Sequence, residues 1–192
     1  MIRENLQQIL NEHRTAVEKS FDQDSLEALE LITREILKSL KTGGKILLCG
    51  NGGSAADSQH IAAEFIGRFK KERKSLPAIA LTTDTSILTA VANDYSYDQI
   101  FSRQIEGLGR KGDILIALST SGNSKNILRA VQQAKAQEIV SAGFTGADGG
   151  ELKRLADMCF RAKTQKTPHI QEMHITALHA ISEAVENVLF GG

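Results

Sequence analysis

The stretch CGNGGSAADSQHIAAE (residues 49–64) joins a short apolar segment to a segment with helical character. The apolar segment KILLCG (45–50) predicts a strand, and a turn rich in glycine and small polar residues follows it. A strand followed by such a turn and then by a helix is the repeating unit of parallel α/β sheets. The same stretch sets His60 and Glu64 one helical turn apart. It therefore bears both on the fold and on what the turn binds.

The same unit recurs along the chain, because short apolar segments alternate with amphipathic ones. The predicted strands are 45–50, 78–81, 113–118, 139–145 and 157–162. The predicted helices are 2–21, 25–41, 54–70, 85–92, 98–107, 124–137, 151–156 and 168–189. Strands that are apolar throughout suit a parallel sheet covered on both faces. We predict a doubly wound, five-stranded parallel α/β sandwich, with residues 1–192 as one domain.

Two amphipathic helices precede this alternation and form an N-terminal pair (1–41). Ser25 is the predicted cap of the second helix, and TGG at 42–44 ends it. If only one face of the pair packs on the sheet, the rest needs a partner subunit. The alternative is that the pair simply caps the same core.

Composition excludes several classes of protein. Lysine plus arginine equals aspartate plus glutamate, 23 each, so no overall field attracts nucleic acid or an anionic membrane. Cys49 and Cys159 lie in apolar segments without a CxxC pair, which predicts buried thiols in a reducing compartment. The first residues lack the apolar core of a signal peptide, and no apolar run reaches the ~18 residues of a membrane span. We therefore expect a cytoplasmic protein.

Two turns at predicted strand ends suit an anion. GNGGSA (50–55) and STSGNS (119–124) each lead into a helix N-terminus, where free N–H groups and the helix dipole favour negative charge. The first turn matches the dinucleotide pattern G-x-G-x-x-A in form, but Asp84 comes about 30 positions on rather than about 20. The second offers hydroxyls without a lysine, which suits a phosphate; the alternative is an ordinary turn capped by Ser124.

Histidine, glutamate and glutamine side chains form a second candidate constellation. His60 and Glu64 share one helix face, and IQEMHITALH (170–179) supplies Gln171 and His179 on the last helix. These groups suit zinc or a similar ion, and equally acid–base chemistry. The plainer alternatives are a surface hydrogen bond for the first pair and a core histidine for His179.

Helix geometry limits how the last helix can serve one ion. Gln171 and His179 are about 12 Å apart along a straight helix and about 80° apart around it. One helix would supply both ligands only with difficulty, whereas a second copy of the helix would supply one of them more easily. We therefore predict a composite site at a subunit interface.

Five segments together resemble the SIS (sugar isomerase) domain family over nearly the whole chain. The matching segments are GGKILLCGNGGSAADSQHIAAEFIGRF, PAIALTTDTSILTAVANDY, IFSRQIEGLGRKGDILIALSTSGNSKNI, TGADGG and IQEMHITALH. Within the family, the chain resembles the isomerases that interconvert sedoheptulose 7-phosphate and D-glycero-D-manno-heptose 7-phosphate. The resemblance implies a cytoplasmic homotetramer with active sites between subunits, acting early in ADP-heptose and lipopolysaccharide core synthesis.

The resemblance also implies site residues. It implies zinc, one ion per site, held by His60, Glu64, Gln171 and His179. It implies substrate contacts from both turns, the 93–94 dipeptide, the glutamate and the last helix: Asn51, Gly52, Gly53, Ser54, Glu64, Asn93, Asp94, Ser119, Thr120, Ser121, Ser124 and Gln171. Aldose–ketose isomerisation needs a base at carbon and an acid at oxygen, for which Glu64 and His179 are the candidates.

A non-catalytic relative provides the competing interpretation. The DnaA initiator-associating protein is similar in scaffold, but such relatives lack the acidic residue at the Glu64 position and the histidine at the His179 position. Both residues are present here, which favours an enzyme over an adaptor. Pro168 and His169 depart from the charged pair that some isomerases carry before the IQE motif, so no substrate role is assigned to them.

Overall fold

The computed structural model describes residues 1–191 and confirms the predicted fold class. All neighbouring strands are parallel, in the order β2-β1-β3-β4-β5. The strands are β1 Ile46–Cys49, β2 Ala78–Ala80, β3 Ile114–Leu118, β4 Val140–Thr145 and β5 Met158–Arg161. The helices are α1 Ile2–Ser20, α2 Gln23–Lys41, α3 Gly53–Ile66, α4 Thr85–Asp94, α5 Ser102–Leu108, α6 Lys125–Ala136, α7 Leu152–Leu155 and α8 Thr167–Phe190, with a 3-10 turn at Tyr97–Gln99. The last residue of the predicted domain, Gly192, lies outside the described residues.

Each face of the sheet packs against its own set of helices, because side chains alternate along a strand. In β1, Ile46 and Leu48 enter a core that they share with residues of α2, α3 and α8. Leu47 and Cys49 point the other way, into a core shared with α5 and α6. Because both faces are covered, the central strands β1 and β3 are apolar and buried at every position rather than at alternate ones.

The strand order reverses at β1: the chain first adds β2 on one side of β1 and then adds β3, β4 and β5 on the other side. Strand β2 pairs with one edge of β1 and β3 pairs with the other. At such a point the loops after neighbouring strands diverge toward opposite faces and leave a crevice at the carboxyl ends. The loops 50–52 and 119–124 follow β1 and β3, so both lie at this crevice.

The two N-terminal helices differ in how deeply they pack. Helix α2 contributes Leu29, Ile32 and Ile36 to the core, as a capping helix should. Helix α1 buries only Ala16 and Ser20 of its 19 residues. Its apolar side chains nearer the N-terminus are exposed, among them Ile2, Leu6, Ile9 and Leu10.

The predicted cap of α2 was wrong. Its N-cap is Asp22, whose carboxylate accepts a hydrogen bond from the Ser25 amide at 3.1 Å. An aspartate three residues before a free amide satisfies that amide directly, so the helix begins at Gln23, two residues earlier than predicted.

Several predicted boundaries also shift. Helix α3 ends at Ile66 rather than 70, because Gly67 follows and the next residues turn toward α8. Asn93 lies within α4 rather than after it. Cys49 is buried as predicted, but Cys159 is only partly buried because β5 is an edge strand. Burial still raises the pKa of the Cys159 thiol to about 11.

Within residues 1–191, none of the helices combines the length and the apolar character that crossing a membrane requires.

Candidate functional site

The first loop (50–52) is tied to two neighbouring elements through Asn51. The Oδ1 atom of Asn51 accepts hydrogen bonds from Asn126 Nδ2 at 2.8 Å and from the Tyr97 hydroxyl at 3.0 Å. Its Nδ2 donates to Asn126 Oδ1 at 2.9 Å. Gly52 has a φ of +55°, which glycine adopts without the strain that a side chain would bring. The loop is therefore held in one conformation, with Gly52 and Gly53 exposed at the start of α3.

The second loop (119–124) presents hydroxyls at the N-terminus of α6. Ser124 is the N-cap residue, but its side chain makes no capping bond; instead it accepts a hydrogen bond from Ser119 Oγ at 3.1 Å. The Ser121 hydroxyl accepts a bond from the Asn123 amide. Gly122 has a φ of +67° and lies against the Gly149 carbonyl, where a Cβ would not fit. A cavity of about 320 Å³ beside the loop is lined by Thr120 and Ser121, among others.

Asn93 and Asp94 lie at the end of α4 and are exposed. Asn93 Nδ2 donates to Asp94 Oδ1 at 2.8 Å, so these two side chains engage each other. The segment after α4 reaches the first loop through Tyr97.

His60, Glu64 and His179 come together between α3 and α8, and we call them the α3–α8 cluster. One ligand atom from each lies within 4.8 Å of the other two. His60 Nε2 lies 3.1 Å from Glu64 Oε1, and the rings of His60 and His179 meet edge to face with centroids 4.9 Å apart. Burial lowers the pKa of His179; His60 lowers it further, and Glu64 opposes both effects. His179 is therefore neutral near pH 7.

A buried ion pair holds the loop that covers this cluster. Arg73 and Glu186 have side chains only 2% and 1% exposed, and Arg73 Nε donates to Glu186 Oε1 at 2.9 Å. Arg73 Nη2 also donates to the Glu64 carbonyl at 2.7 Å. Burial raises the pKa of Glu186, but bonds from the Lys70, Lys71 and Phe69 amides and from Arg73 outweigh it, so the pKa lies below its usual value.

The loop delivers Phe69 to the cluster. The Phe69 amide donates to Glu186 Oε1 at 3.2 Å, which sets the course of the chain after α3. The Phe69 ring then stacks on His179, with centroids 5.5 Å apart and planes inclined by 20°. This contact covers one face of the imidazole and leaves the edge toward His60 and Glu64 available.

Gln171 lies at the other end of α3 from the cluster. A Cβ on Gly53 would be 2.5 Å from Gln171 Nε2, so the amide rests on the first residue of α3. Gly53 precedes His60 by seven residues, about 10 Å along the helix. Within one chain, His179 therefore lies beside His60 and Glu64, whereas Gln171 does not belong to the cluster. No second copy is needed to assemble these three residues, and the predicted interface location stays a prediction.

Asp57 is a residue that the sequence interpretation missed. It lies on α3 one turn before His60, and within the described residues its buried Oδ2 has no hydrogen-bond partner. Burial raises its pKa to about 6, partly offset by His60. Two imidazoles and a carboxylate, with this second carboxylate nearby, form a donor set that fits zinc or a similar divalent ion. A polar residue at i−3 from His60 was the available signal.

We next compared the chain with known protein families. The SIS domain family profile matches residues 10–146, more than half of the chain. The chain belongs to the SIS domain family. A SIS relative named phosphoheptose isomerase from Roseiflexus sp. (strain RS-1) is 54% identical over 159 residues, covering 83% of this chain and 81% of the relative. One of the same name from Helicobacter pylori (strain P12) is 48% identical over 186 residues, covering 97% and 96%.

Solved structures of SIS domain proteins superpose on nearly the whole chain. Phosphoheptose isomerase from Neisseria gonorrhoeae matches with a TM-score of 0.92 at 39% identity, covering 97% of this chain and 100% of that one. A phosphoheptose isomerase from Francisella tularensis matches with a TM-score of 0.94 at 33% identity, covering 97% and 99%. The fold described above is therefore shared with these structures over nearly its whole length.

Proposed function

We propose that the chain is an aldose–ketose isomerase that converts sedoheptulose 7-phosphate into D-glycero-D-manno-heptose 7-phosphate through an enediol(ate). The observation that carries this proposal is the α3–α8 cluster, in which a carboxylate lies beside two imidazoles within 4.8 Å. The names of the relatives supply the substrate.

The proposed division of labour follows from the chemistry of the side chains. Glu64 removes the proton from the carbon beside the carbonyl, because it is the one carboxylate of the cluster and a carboxylate can accept a proton directly while His179 serves the substrate oxygens. His179 is neutral there, so one ring nitrogen accepts a proton while the other donates, and it exchanges protons with the substrate oxygens. Phe69 fixes the plane of that ring.

The phosphate is proposed to bind at the second loop. Ser119, Thr120, Ser121 and Ser124 provide hydroxyls, and the N-terminus of α6 provides backbone N–H groups and the positive end of its dipole. Binding at this remote end aligns the reacting carbons, so that binding energy is used for orientation. The first loop, through Asn51, Gly52, Gly53 and Ser54, is proposed to hold the sugar hydroxyls, with Asn93 and Asp94 at the edge.

Zinc is the proposed cofactor. His60, Glu64 and His179 would hold it, with the Gln171 amide as a fourth candidate. When bound, zinc polarises a carbonyl as a Lewis acid and stabilises the negative charge that develops on oxygen. Glu64 is then a ligand, the base, or both.

The proposal extends to assembly and pathway. We expect a homotetramer in the cytoplasm, acting at the first step of ADP-heptose and lipopolysaccharide core synthesis. The exposed apolar side chains of α1 support subunit packing. Mixing Glu64→Gln chains with Ser119→Ala/Ser124→Ala chains tests whether the second loop of one subunit serves the cluster of another. A shared site predicts that hybrids recover activity, whereas a site within one chain predicts no recovery.

The activity itself is tested with purified protein and sedoheptulose 7-phosphate, with and without a chelator. We expect the aldose to appear, its rate to fall on chelation, and zinc to restore it. Sedoheptulose without the phosphate is the matched control and should react far more slowly. If no aldose forms in the zinc-supplemented protein, the enzyme proposal fails and an adaptor becomes the better interpretation.

A further inference from the structure

A second group of metal-ligating side chains lies outside the site described above. His13 of α1 and the pair His169 and Glu172 of α8 place one ligand atom each within 4.8 Å of the others. We call them the α1–α8 cluster. His13 Nδ1 lies 2.5 Å from Glu172 Oε2, and the rings of His13 and His169 meet edge to face with centroids 5.6 Å apart.

The cluster has its own place on α8. His169 and His179 are ten residues apart, about 15 Å along the helix, so the two clusters cannot share one ion. The α1–α8 cluster uses none of the residues assigned to substrate or catalysis. Its His169 lines a groove of about 810 Å³ between α1 and the start of α8, and its other two residues are partly exposed, so ions and water can reach the cluster.

The donor set and its mobility suit a divalent ion of the zinc class. Two imidazoles and a carboxylate are ligands that zinc takes at about 2.0–2.2 Å, which puts ligand atoms roughly 3.4 Å apart in a tetrahedral site. His169 is buried and fixed, whereas the His13 and Glu172 side chains are 36% and 49% exposed and can make this small adjustment. Water can complete the coordination from the groove.

The local charge favours a cation as well. The cluster contains one carboxylate, that of Glu172, and neither lysine nor arginine. Lys166, the N-cap residue of α8, lines the same groove and is paired with Glu12, so its positive charge is compensated. A divalent ion here would therefore meet a net attraction.

We propose that His13, His169 and Glu172 form a second binding site for a divalent ion of the zinc class, which clips α1 to α8. A structural role follows from the packing within one chain, because α1 buries only two of its residues and the Lys166–Glu12 ion pair that joins it to the start of α8 is partly exposed. A metal ion that binds only when α1 is packed against α8 stabilises that packed state. The proposal is independent of the proposed enzymatic function, because it rests on other residues.

The test is equilibrium dialysis of metal-free full-length protein against Zn²⁺, followed by metal analysis. A background variant, His60→Gln/Glu64→Gln/His179→Gln, disables the α3–α8 cluster, and we expect it to retain one equivalent per chain. Adding His13→Ala should remove that equivalent. Glu4→Gln is the matched control: it changes another carboxylate of the same groove, one that does not pair with Lys166, and should leave the equivalent bound.

Zn²⁺ should also raise the melting temperature of the background variant, and His13→Ala should abolish that shift. His13 is the preferred position because it is partly exposed and lies on α1, outside the α3–α8 cluster, so the change leaves both the fold and the other cluster intact. A background variant that binds no zinc, or one in which His13→Ala leaves the bound zinc unchanged, overturns the proposal.

Discussion

The two clusters on α8 have the same donor set and very different surroundings. Each contains two histidines and a glutamate, and in each α8 meets a second helix. The α3–α8 cluster lies under Phe69, behind a buried ion pair and one turn from the buried carboxylate of Asp57. The α1–α8 cluster lies on an open groove beside the exposed pair Lys166 and Glu12.

We propose that the surroundings, rather than the donor set alone, make the α3–α8 cluster the catalytic one. Acid–base chemistry needs side chains held in one orientation and partly shielded from water, and buried partners provide both. The loop after α3 supplies these conditions to Glu64 and His179. The α1–α8 cluster lacks such a cover, so metal retention is the role that its geometry supports.

The largest expected effect separates the two glutamates. Glu64→Gln should lower kcat with sedoheptulose 7-phosphate by about 10³-fold, because a general base contributes roughly 10²–10⁴-fold. Glu172→Gln is the matched change in the other cluster and should leave kcat within a few fold of wild type. Steady-state kinetics measure both. Equal losses would mean that the two clusters do not differ in function.

The next effect concerns the buried support of the α3–α8 cluster. Arg73→Leu should lower the free energy of unfolding by roughly 3–5 kcal/mol, because it leaves the Glu186 charge buried without its cation. Lys166→Met breaks the exposed pair beside the α1–α8 cluster and should cost at most about 1 kcal/mol. Urea unfolding compares the two. A small loss for Arg73→Leu would contradict the structural role given to this ion pair.

The fifth histidine sharpens the comparison because it belongs to neither cluster. His174 is buried and donates through Nε2 to the Thr145 carbonyl at 3.1 Å; burial lowers its pKa to about 4, which that bond partly opposes. Between pH 6.5 and pH 4, His174 is protonated in the unfolded chain but remains neutral in the folded chain. Stability is therefore full above pH 6.5 and is lost as the pH falls toward 4, by roughly 3 kcal/mol.

His174→Gln tests this pH dependence, because the glutamine amide can donate to the same carbonyl and does not titrate. Unfolding free energies are measured from pH 7 to pH 4 for wild type and variant. The wild type should lose more stability over this range, by about 3 kcal/mol. Parallel pH profiles would show that His174 does not carry the effect.

The smallest expected effect tests the ring that covers His179. Phe69→Leu keeps an apolar side chain but removes the stacked ring, which is worth roughly 0.5–1.5 kcal/mol. We expect kcat to fall by about tenfold, with a smaller change in KM, because a less well-oriented His179 weakens the chemical step. Unchanged kcat would show that Arg73 and Glu186 alone organise the cluster.

Much of the fold was predictable because it rests on local patterns. The apolar strands, the glycine turn after β1 and the helical periodicities together specify a doubly wound sheet, and both loops were expected at strand ends. The errors concern local alternatives: Asp22 rather than Ser25 caps α2, and the amides after Ile66 donate hydrogen bonds to Glu186 instead of continuing the helix. Such competitions depend on contacts that neighbours in sequence do not reveal.

The candidate site was predictable only in part. The spacing of four residues places His60 and Glu64 on one helix face, and the serine and threonine residues of the second loop can be read directly from the sequence. Asn126 and Tyr97, which fix Asn51, were missed, because each reaches the first loop from a distant part of the sequence. Asp57 was missed because its importance lies in burial, which one sequence position does not report.

By itself, the sequence determined the order of strands and helices, the two crevice loops and the residue types that the chemistry requires. These depend on periodicity and on backbone propensities, which act over a few residues. The tertiary structure alone decided that His179 joins His60 and Glu64 within one chain, and that His13 meets His169 and Glu172. Those meetings depend on how α8 packs between α3 and α1, and packing is set by the whole core rather than by any one segment.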